Sequence, residues 1–184
     1  MISAIGQGFV LTTPLQLATM ASALANGGTV WKPQVVQKIV DLEGETEWLL
    51  EPEKASETAW PPRHLTPIRK AMESVVNDVG GTAWRSRLDK VRFAGKTGTA
   101  QVVRKKSDDE EEVEEEEVPY RFRDHALFVS YAPAENPQIA VAVVVEHGGH
   151  GSSAAAPVAK AIYDAYFNGK QAGRDIAKLV SAED

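Results

Sequence analysis

The chain alternates between segments whose apolar residues recur at helical spacing and segments rich in β-branched residues. The first helical segment follows Thr13-Pro14, where the threonine can cap a helix and the proline fits its first turn. Small and apolar residues then form one broad face until Asn26-Gly27-Gly28: Leu15, Leu17, Ala18, Ala21, Leu24 and Ala25. This pattern predicts a packed helix of about 13 residues.

The next segments predict a hairpin and a second helix. Residues 30–40 show β-branched alternation and lead through Asp41-Leu42-Glu43-Gly44 into a second short arm, which is typical of a β-hairpin. After the interruption at Pro61-Pro62, an amphipathic helix is expected from Thr66-Pro67 to near Gly80-Gly81. Its apolar side consists of Ile68, Met72, Val75 and Val76.

Three β-prone segments follow, at residues 92–103, 126–131 and 139–145. The last is almost continuously apolar, as in a buried central strand, and Asn136-Pro137 before it fits a tight hairpin connection. A final helix is expected from about Ser153 to Asn168-Gly169. Its apolar side consists of Ala156, Val158, Ala159, Ile162, Tyr163, Tyr166 and Phe167.

Strands flanked by helices predict an α+β fold in which helices cover an antiparallel sheet. At 184 residues and 43% hydrophobic, the chain is long enough for one domain with a core, and it lacks an apolar run that could span a membrane. No signal-peptide pattern opens it, and the absence of cysteine excludes disulfides and thiolate metal sites. Basic stripes interleaved with aromatic residues, which favour nucleic-acid binding, are also absent, so no nucleic-acid partner is expected.

The net charge of -6 comes from one acidic run. Nine of the 26 acidic residues lie between Asp108 and Glu117, and without them the balance is 20 minus 17, or +3. The run has no apolar period and its charges repel, so residues 104–119 are expected to form a disordered insertion between two strands. An acidic tether or a cation sink is the functional alternative.

The segment FAGKTGTAQ, residues 93–101, carries the candidate chemistry. Gly95-Lys96-Thr97 matches the end of a nucleotide phosphate-binding loop, but that motif requires glycine at position 90, where this chain has Lys90. A phosphate loop also leads into a helix, whereas the residues after Thr99 are β-prone. Both observations disfavour a nucleotide site.

The second interpretation is a strand edge that faces a carboxylate and a reacting carbonyl. Lys96 supplies positive charge, Thr97 offers a hydroxyl, and Gly98 lets a ligand lie against the backbone. The N–H of Thr99 can then point at a developing oxyanion. The alternative is a solvated lysine between two turn glycines, and the residues of this segment do not decide between the two.

Five ordered motifs outside the acidic run carry a family resemblance. They are Ala4-Ile5-Gly6-Gln7-Gly8, the helix from Thr13-Pro14-Leu15-Gln16 to Asn26-Gly27-Gly28, Lys96-Thr97-Gly98-Thr99-Ala100-Gln101, Arg123-Asp124-His125-Ala126-Leu127-Phe128, and residues 140–148, AVAVVVEHG. The chain resembles the penicillin-binding protein 2 family, the class B peptidoglycan D,D-transpeptidases of rod-shaped bacteria. The resemblance implies a partial penicillin-binding/β-lactamase-like transpeptidase domain over residues 1–184.

The resemblance assigns roles to the lysine-threonine-glycine segment. It implies that Lys96 and Thr97 bind the terminal carboxylate of a D-Ala-D-Ala stem peptide or of a β-lactam. The N–H of Thr99 would form half of an oxyanion hole, and Gly98 would let the peptide pack against the strand. It further implies cell-wall elongation proteins as partners, a place on the periplasmic face of the inner membrane, and no cofactor.

One departure separates the chain from the family pattern. The mechanism uses a serine in S-x-x-K and a second motif S-x-N, and none of the ten serines has lysine three residues on or asparagine two residues on. The chain is therefore expected to be the C-terminal part of a transpeptidase domain, inactive alone, with an unpaired sheet edge and an uncovered apolar face through which it can self-associate. The alternative is a truncated, non-catalytic binding module.

Other candidates have structural interpretations. Residues 146–150, EHGGH, are expected to form a strand-to-helix turn and not a metal site, and Ser152-Ser153 is expected to cap the last helix. Gly6-Gln7-Gly8 is expected to form a structural turn, with a cleft-lining loop as the alternative, and His64 is expected to be a surface residue. Arg121 and Arg123 either contact carboxylates or balance the acidic run.

Overall fold

The computed structural model describes residues 10–102 and 118–180, with side chains described to residue 169 in the last helix. The helices in this part of the chain are α1 (Pro14–Asn26), α2 (Pro62–Asn77) and α3 (Ala156–Val180). The strands are β1 (Thr29–Trp31), β2 (Lys38–Val40), β3 (Thr46–Leu49), β4 (Lys54–Glu57), β5 (Ala94–Ala100), β6 (His125–Ala132) and β7 (Ile139–Val145).

A three-stranded antiparallel sheet in the order β5-β6-β7 organises the fold. Seven residue pairs join β5 to β6, and seven join β6 to β7, without a break in register. The predicted antiparallel sheet and its three strands are confirmed, although β5 is shorter than residues 92–103. It ends at Ala100 because its partner β6 begins opposite, at His125. The apolar segment 139–145 is not the central strand that its pattern indicated, because β6 lies in the centre and β7 at the edge.

The first two helices cover one face of this sheet. Alternate residues of a strand point to opposite faces, so Ala94 and Phe93 belong to different faces. The core beneath α1 and α2 consists of Ala25, Met72, Ala94, Tyr131 and Ala134. Helix α2 thereby backs the strand that carries the lysine-threonine-glycine segment.

Helix α3 covers the other face with small residues and one large aromatic residue. Ala156, Ala159 and Tyr163 are fully buried against the sheet. The Tyr163 ring lies 4.9 Å from the Phe93 ring, and Phe93 meets Phe128 edge to face at 6.4 Å. The alanines let the helix approach closely, and the aromatic rings fill the space that remains.

The start and end of α1 are as predicted. The Thr13 hydroxyl accepts a hydrogen bond from the Gln16 N–H at 3.2 Å, and the Gln16 side chain accepts one from the Thr13 N–H at 2.8 Å. This reciprocal pair is a capping box. Gly27 ends the helix in the left-handed region, with φ of 96°.

The prediction of one strand over residues 30–40 is wrong. β1 ends at Trp31 and β2 begins at Lys38, because Pro33 lacks the N–H that a continuous ladder requires. β1 instead pairs with β4, which the sequence pattern did not indicate. The predicted hairpin is confirmed for β2 and β3, whose turn has Gly44 at φ 89°.

Two helix boundaries also differ from prediction. Helix α2 begins at Pro62, because proline suits the first helical position, and it accommodates Pro67 in its interior. The last helix begins with a π-helical turn at Gly151–Ala155 and does not end at Asn168-Gly169. An interior glycine costs only about 1 kcal/mol relative to alanine, so Gly169 does not stop a helix by itself.

The expected unpaired sheet edge is present in residues 10–102 and 118–180. The expected uncovered apolar face of the three strands is not, because α1 and α2 cover one face of the sheet and α3 covers the other. β7 pairs with β6 on one side and with no described strand on the other. Along α3, Val158, Ile162 and Tyr166 are 43%, 38% and 53% exposed, at a spacing of four residues. Most of the expected acidic insertion, from residue 103 to 117, lies outside the described residues.

The buried hydroxyl of Tyr163 links α3 to the sheet. It donates to Ser130 Oγ at 2.8 Å, and the Ser130 hydroxyl donates to the Val141 carbonyl at 3.4 Å. Burial raises the pKa of Tyr163 above its ordinary value of 10.0, and the hydrogen bond to Ser130 opposes this shift only in part. The folded state therefore holds the phenolic proton more tightly than the unfolded chain does.

This shift predicts an alkaline loss of stability. The contribution of Tyr163 is complete below pH about 10 and is lost as the pH rises from there, by up to about 1.4 kcal/mol per pH unit. Tyr163→Phe has no phenolic hydroxyl and therefore no such pH-dependent contribution. The difference in unfolding free energy between wild type and variant should therefore shrink above pH 10 in denaturant titrations. Tyr166→Phe, at an exposed position of the same helix, serves as the control. A difference that stays constant from pH 8 to 11 would contradict the assignment.

Candidate active site

The lysine-threonine-glycine segment, Lys96 to Gly98, lies in the middle of edge strand β5. Lys96 is exposed and Thr97 is half-buried. Within the sheet, the segment pairs along one edge, with Val129, Phe128 and Leu127 of β6. Its other edge carries no described strand, so a ligand can reach the backbone and side chains there.

Lys96 and Thr97 place an ammonium group beside a hydroxyl group. Lys96 Nζ donates to the Thr97 carbonyl at 2.8 Å and lies 3.5 Å from Thr97 Oγ1. Thr97 Oγ1 is in turn 3.2 Å from the hydroxyl oxygen of Thr82. An ammonium group beside hydroxyl donors is the chemistry that binds a carboxylate. The structure therefore brings Lys96 and Thr97 together and adds Thr82, which the sequence pattern did not indicate.

Two glycines allow close packing around this segment. A Cβ atom at Gly95 would lie 2.3 Å from the Phe128 ring, so this position admits only glycine without displacing the core. A Cβ atom at Gly98 would lie 3.3 Å from Leu127 Cβ, which is tight but less restrictive. Next to Gly98, Thr99 is half-buried opposite Ala126.

Gly151 is the more constrained glycine near the site. It lies in the β7–α3 turn, which we define as residues 146–151. A Cβ atom there would lie 2.2 Å from the Leu127 carbonyl oxygen and 2.7 Å from that of Gly98. The turn therefore rests directly on the backbones of β5 and β6. The density of glycines after β7 in the sequence is the signal that could have indicated this approach.

Two adjacent residues at the start of β6, Asp124 and His125, hold the β7–α3 turn in place. The His147 N–H donates to His125 Nδ1 at 2.9 Å, and the Gly149 N–H donates to the Asp124 carbonyl at 2.8 Å. Asp124 Oδ1 also accepts from the Val102 N–H at 3.2 Å, just beyond β5. Arg123 Nε donates to the Val118 carbonyl at 3.0 Å. Residues 123–125 therefore hold the chain on both sides of residues 103–117.

The remaining sequence candidates have structural surroundings. Ser152 and Ser153 do not cap the last helix as predicted; the cap position is His150, and the Ser153 hydroxyl donates to its carbonyl at 3.1 Å. His64 is exposed, as expected, and accepts a hydrogen bond from Arg63 Nε at 3.1 Å. The guanidinium of Arg121 stacks on Phe122 at 4.6 Å. Gly6-Gln7-Gly8 lies outside the described residues.

Within the described ranges, no cluster of three or more histidine, cysteine, aspartate and glutamate residues could hold a metal ion. None of the helices in the same ranges has the length and apolar composition needed to cross a membrane.

A cavity of about 520 Å³ lies between residues 87–91 and α3. Its lining includes charged residues of both signs, among them Arg87, Asp89, Lys160 and Asp164, and no residue of β5. The lysine-threonine-glycine segment therefore lies outside this cavity.

Comparison with known proteins bears on this arrangement. The family described as penicillin binding protein transpeptidase domain matches residues 1–164. The chain belongs to this transpeptidase family. It is 37% identical over 169 residues to the peptidoglycan D,D-transpeptidase MrdA of Haemophilus influenzae, and the match covers 89% of this chain and 25% of MrdA.

Solved structures of the family share the fold. The imipenem acyl-enzyme complex of penicillin-binding protein A from M. tuberculosis matches with a TM-score of 0.68 and 27% identity, over 90% of this chain and 33% of that one. The complex of penicillin-binding protein 2 with MreC from Helicobacter pylori matches with a TM-score of 0.61 and 30% identity, over 92% and 27%. The predicted family and the α+β transpeptidase fold are confirmed, and the chain spans a quarter to a third of these relatives' length.

The packing of Gly151 yields a stability prediction. Gly151→Ala should lower the unfolding free energy by more than about 2 kcal/mol, because its Cβ would clash with two backbone carbonyls that cannot move independently. Chemical denaturation measures the change. Gly169→Ala is the matched control, since no atom lies within 4 Å of its Cβ and alanine favours a helix. Equal stability of Gly151→Ala and wild type would show that the turn does not rest on β5 and β6.

Proposed function

We propose that the chain supplies the substrate-carboxylate wall of a D,D-transpeptidase that crosslinks peptidoglycan stem peptides. The observation that carries this proposal is the placement of Lys96 and Thr97 on an open strand edge in a member of the transpeptidase family. The substrate is a peptide ending in D-Ala-D-Ala, and β-lactams occupy the same site.

Carboxylate recognition falls to Lys96 and Thr97. Lys96 Nζ currently donates to the neighbouring Thr97 carbonyl, a contact that an anionic ligand oxygen can replace with a stronger, charge-assisted hydrogen bond. The Thr97 hydroxyl supplies a second donor while Thr82 accepts or donates from the other side. The peptide carboxylate is thus fixed in orientation as well as charge.

The acyl-transfer step uses the next part of the strand. Attack on the scissile carbonyl builds negative charge on its oxygen, and a preorganised N–H donor stabilises that charge by about 3 kcal/mol. We assign this donor to the Thr99 N–H, with Lys96 as the second catalytic residue on β5. Gly98, between them, presents no side chain to the peptide.

The nucleophile of this reaction lies outside the 184 residues, since none of the ten serines stands in an S-x-x-K or S-x-N motif. On this proposal, residues 1–184 are part of one transpeptidase domain with an insertion at 104–119, and the chain alone is inactive. The alternative is a non-catalytic truncated fragment or an interaction module for other partners, and neither is expected to bind the stem-peptide carboxylate at residues 96–99.

The setting of the activity follows from the same relatives. We place the protein in cell-wall elongation and cell-shape maintenance on the periplasmic face of the inner membrane. The complex of Helicobacter pylori penicillin-binding protein 2 with MreC supports an elongation partner. The imipenem acyl-enzyme of the M. tuberculosis relative supports β-lactams as ligands.

Ligand titration tests the proposed wall. Nuclear magnetic resonance spectra of the labelled chain should show shifts at the amides of residues 96–99 when an acetylated D-Ala-D-Ala peptide or benzylpenicillin is added. Lys96→Ala should weaken binding about tenfold or more, because it removes a charge-assisted hydrogen bond. Lys38→Ala, an exposed lysine on strand β2, should bind as wild type does.

Two further measurements make this test decisive. The same peptide with a C-terminal amide should not shift residues 96–99, because it lacks the carboxylate. Intact mass after incubation with benzylpenicillin should show no covalent adduct. Shifts confined to other residues would refute the carboxylate wall, and an adduct on a serine would place the nucleophile within this chain.

We also propose that the chain self-associates through β7. Its unpaired edge is apolar along its length, and Val158, Ile162 and Tyr166 of α3 are exposed. Sedimentation velocity should therefore show dimers at micromolar concentration. Val144→Lys, on an exposed position of β7, should shift the chain to monomer, whereas Val79→Lys, exposed after α2, should not. A monomeric wild type would refute the proposal.

A further inference from the structure

The histidine pair His125 and His147 lies where the β7–α3 turn meets the end of β5. His125 faces Ala100, the last residue of β5, across the sheet register. The two imidazole rings are 4.7 Å apart and meet edge to face, and Tyr120 packs on the His147 ring at 5.0 Å. The proposed carboxylate wall assigns neither histidine a role.

The hydrogen bonds of the pair fix the protonation of each ring. The His147 N–H donates to His125 Nδ1 at 2.9 Å, so that nitrogen carries no proton and the ring proton of His125 lies on Nε2. His147 Nδ1 lies 3.0 Å from the Arg123 carbonyl oxygen, so it carries a proton and donates it. The two hydrogen bonds therefore assign an unprotonated Nδ1 to His125 and a protonated Nδ1 to His147.

The bond to His125 supports an unusual backbone conformation. His147 has a φ of 55°, in the left-handed region that residues other than glycine rarely adopt. Such a conformation persists only where neighbouring contacts determine it. Here the N–H of His147 is held by His125 and the N–H of Gly149 by Asp124, so two adjacent residues of one strand end hold the turn.

The turn transmits this restraint to the lysine-threonine-glycine segment. Gly151, two residues after Gly149, packs against Gly98 so closely that a Cβ atom would lie 2.7 Å from the Gly98 oxygen and 3.1 Å from its nitrogen. A turn that moves away from β6 removes this support from Gly98. Beyond the His125 side chain, the path to the segment runs through the backbone of the turn and of Gly98.

We propose that His125 is a positioning residue for the substrate strand, acting through its unprotonated Nδ1, the β7–α3 turn and Gly151. The inference rests on the proposed function of Lys96 to Thr99 for its consequence in catalysis. Its structural content, an unprotonated Nδ1 of His125 that holds the turn against Gly98, stands independently of any ligand.

The first test measures the ring protons in the full 184-residue chain. Long-range nitrogen–proton spectra of the histidine rings near pH 7.5 should show His125 with its proton on Nε2 and His147 with its proton on Nδ1. The His147 amide should exchange slowly with solvent. Averaging of His125 between both ring nitrogens would overturn the proposal without any variant being made.

Variants then separate the acceptor from the bulk of the ring. His125→Asn places an amide oxygen near the position of Nδ1 and should keep slow exchange at His147, whereas His125→Leu should raise that exchange rate about five- to tenfold. The Leu variant should also shift the amides of Gly98 and Gly151. His64→Leu, at an exposed position, is the matched control. Equal effects of Asn and Leu would overturn the proposal.

Ligand binding distinguishes failure of this inference from failure of the proposed function. If wild type shows no shift at residues 96–99 with the D-Ala-D-Ala peptide, the proposed function fails while the ring-proton result stands. If wild type binds, His125→Leu should bind about fivefold or more weakly and His125→Asn close to normally. Equal binding by His125→Leu and wild type would show that the ring does not position the strand.

Discussion

The antiparallel register that joins β5, β6 and β7 is the constraint on which the remaining structure depends. A shift of one residue would move every side chain to the opposite face. Phe128 would leave the core beneath α3, and Tyr131 would leave the core beneath α1 and α2. Because residues on both faces of the sheet are buried, the packing on each face favours this same register. The position of Lys96 on the open edge is a consequence of that selection.

The site combines an edge strand with tight backbone packing behind it. Edge strands are prone to unwanted pairing, and here the exposed lysine on β5 opposes it; the same lysine is the proposed carboxylate-binding residue. Gly95 lies beneath the Phe128 ring and Gly151 lies on the Gly98 backbone. These contacts leave little room for the segment to move. On the proposed function, a ligand would meet donors that are already in place, which is the condition for efficient electrostatic stabilisation.

Local signals in the sequence predicted much of the fold. Thr13 and Gly27 act within their own helix, so α1 was correct at both ends, and the apolar run at 139–145 indicated β7. Errors arose where one residue type permits two outcomes. Proline began α2 at position 62 and was tolerated at position 67, and Gly169 continued a helix that glycine often ends.

The site was predictable only where its residues are consecutive. Lys96 to Thr99 were read from one motif, and their roles as ligand-binding residues remain predictions. Thr82 and Gly151 were missed because they reach the segment through the tertiary fold, from 15 residues before Thr97 and from beyond β7. No periodic pattern encodes such an approach. The glycines at 148, 149 and 151 were the available clue, and they indicated a turn but not what the turn touches.

The anchoring of the chain on either side of residues 103–117 has an evolutionary consequence. The Asp124 carboxylate accepts a hydrogen bond from the Val102 N–H, and the Arg123 side chain donates one to the Val118 carbonyl. These neighbouring side chains therefore fix the chain on both sides of residues 103–117. The free-energy cost of lengthening a connection between fixed ends grows only with the logarithm of its length. Insertions and deletions between these anchors should therefore change the stability of the sheet very little. This connection is the place in the molecule where sequence length can diverge, or a foreign segment be accommodated, while the strand that carries Lys96 keeps its register.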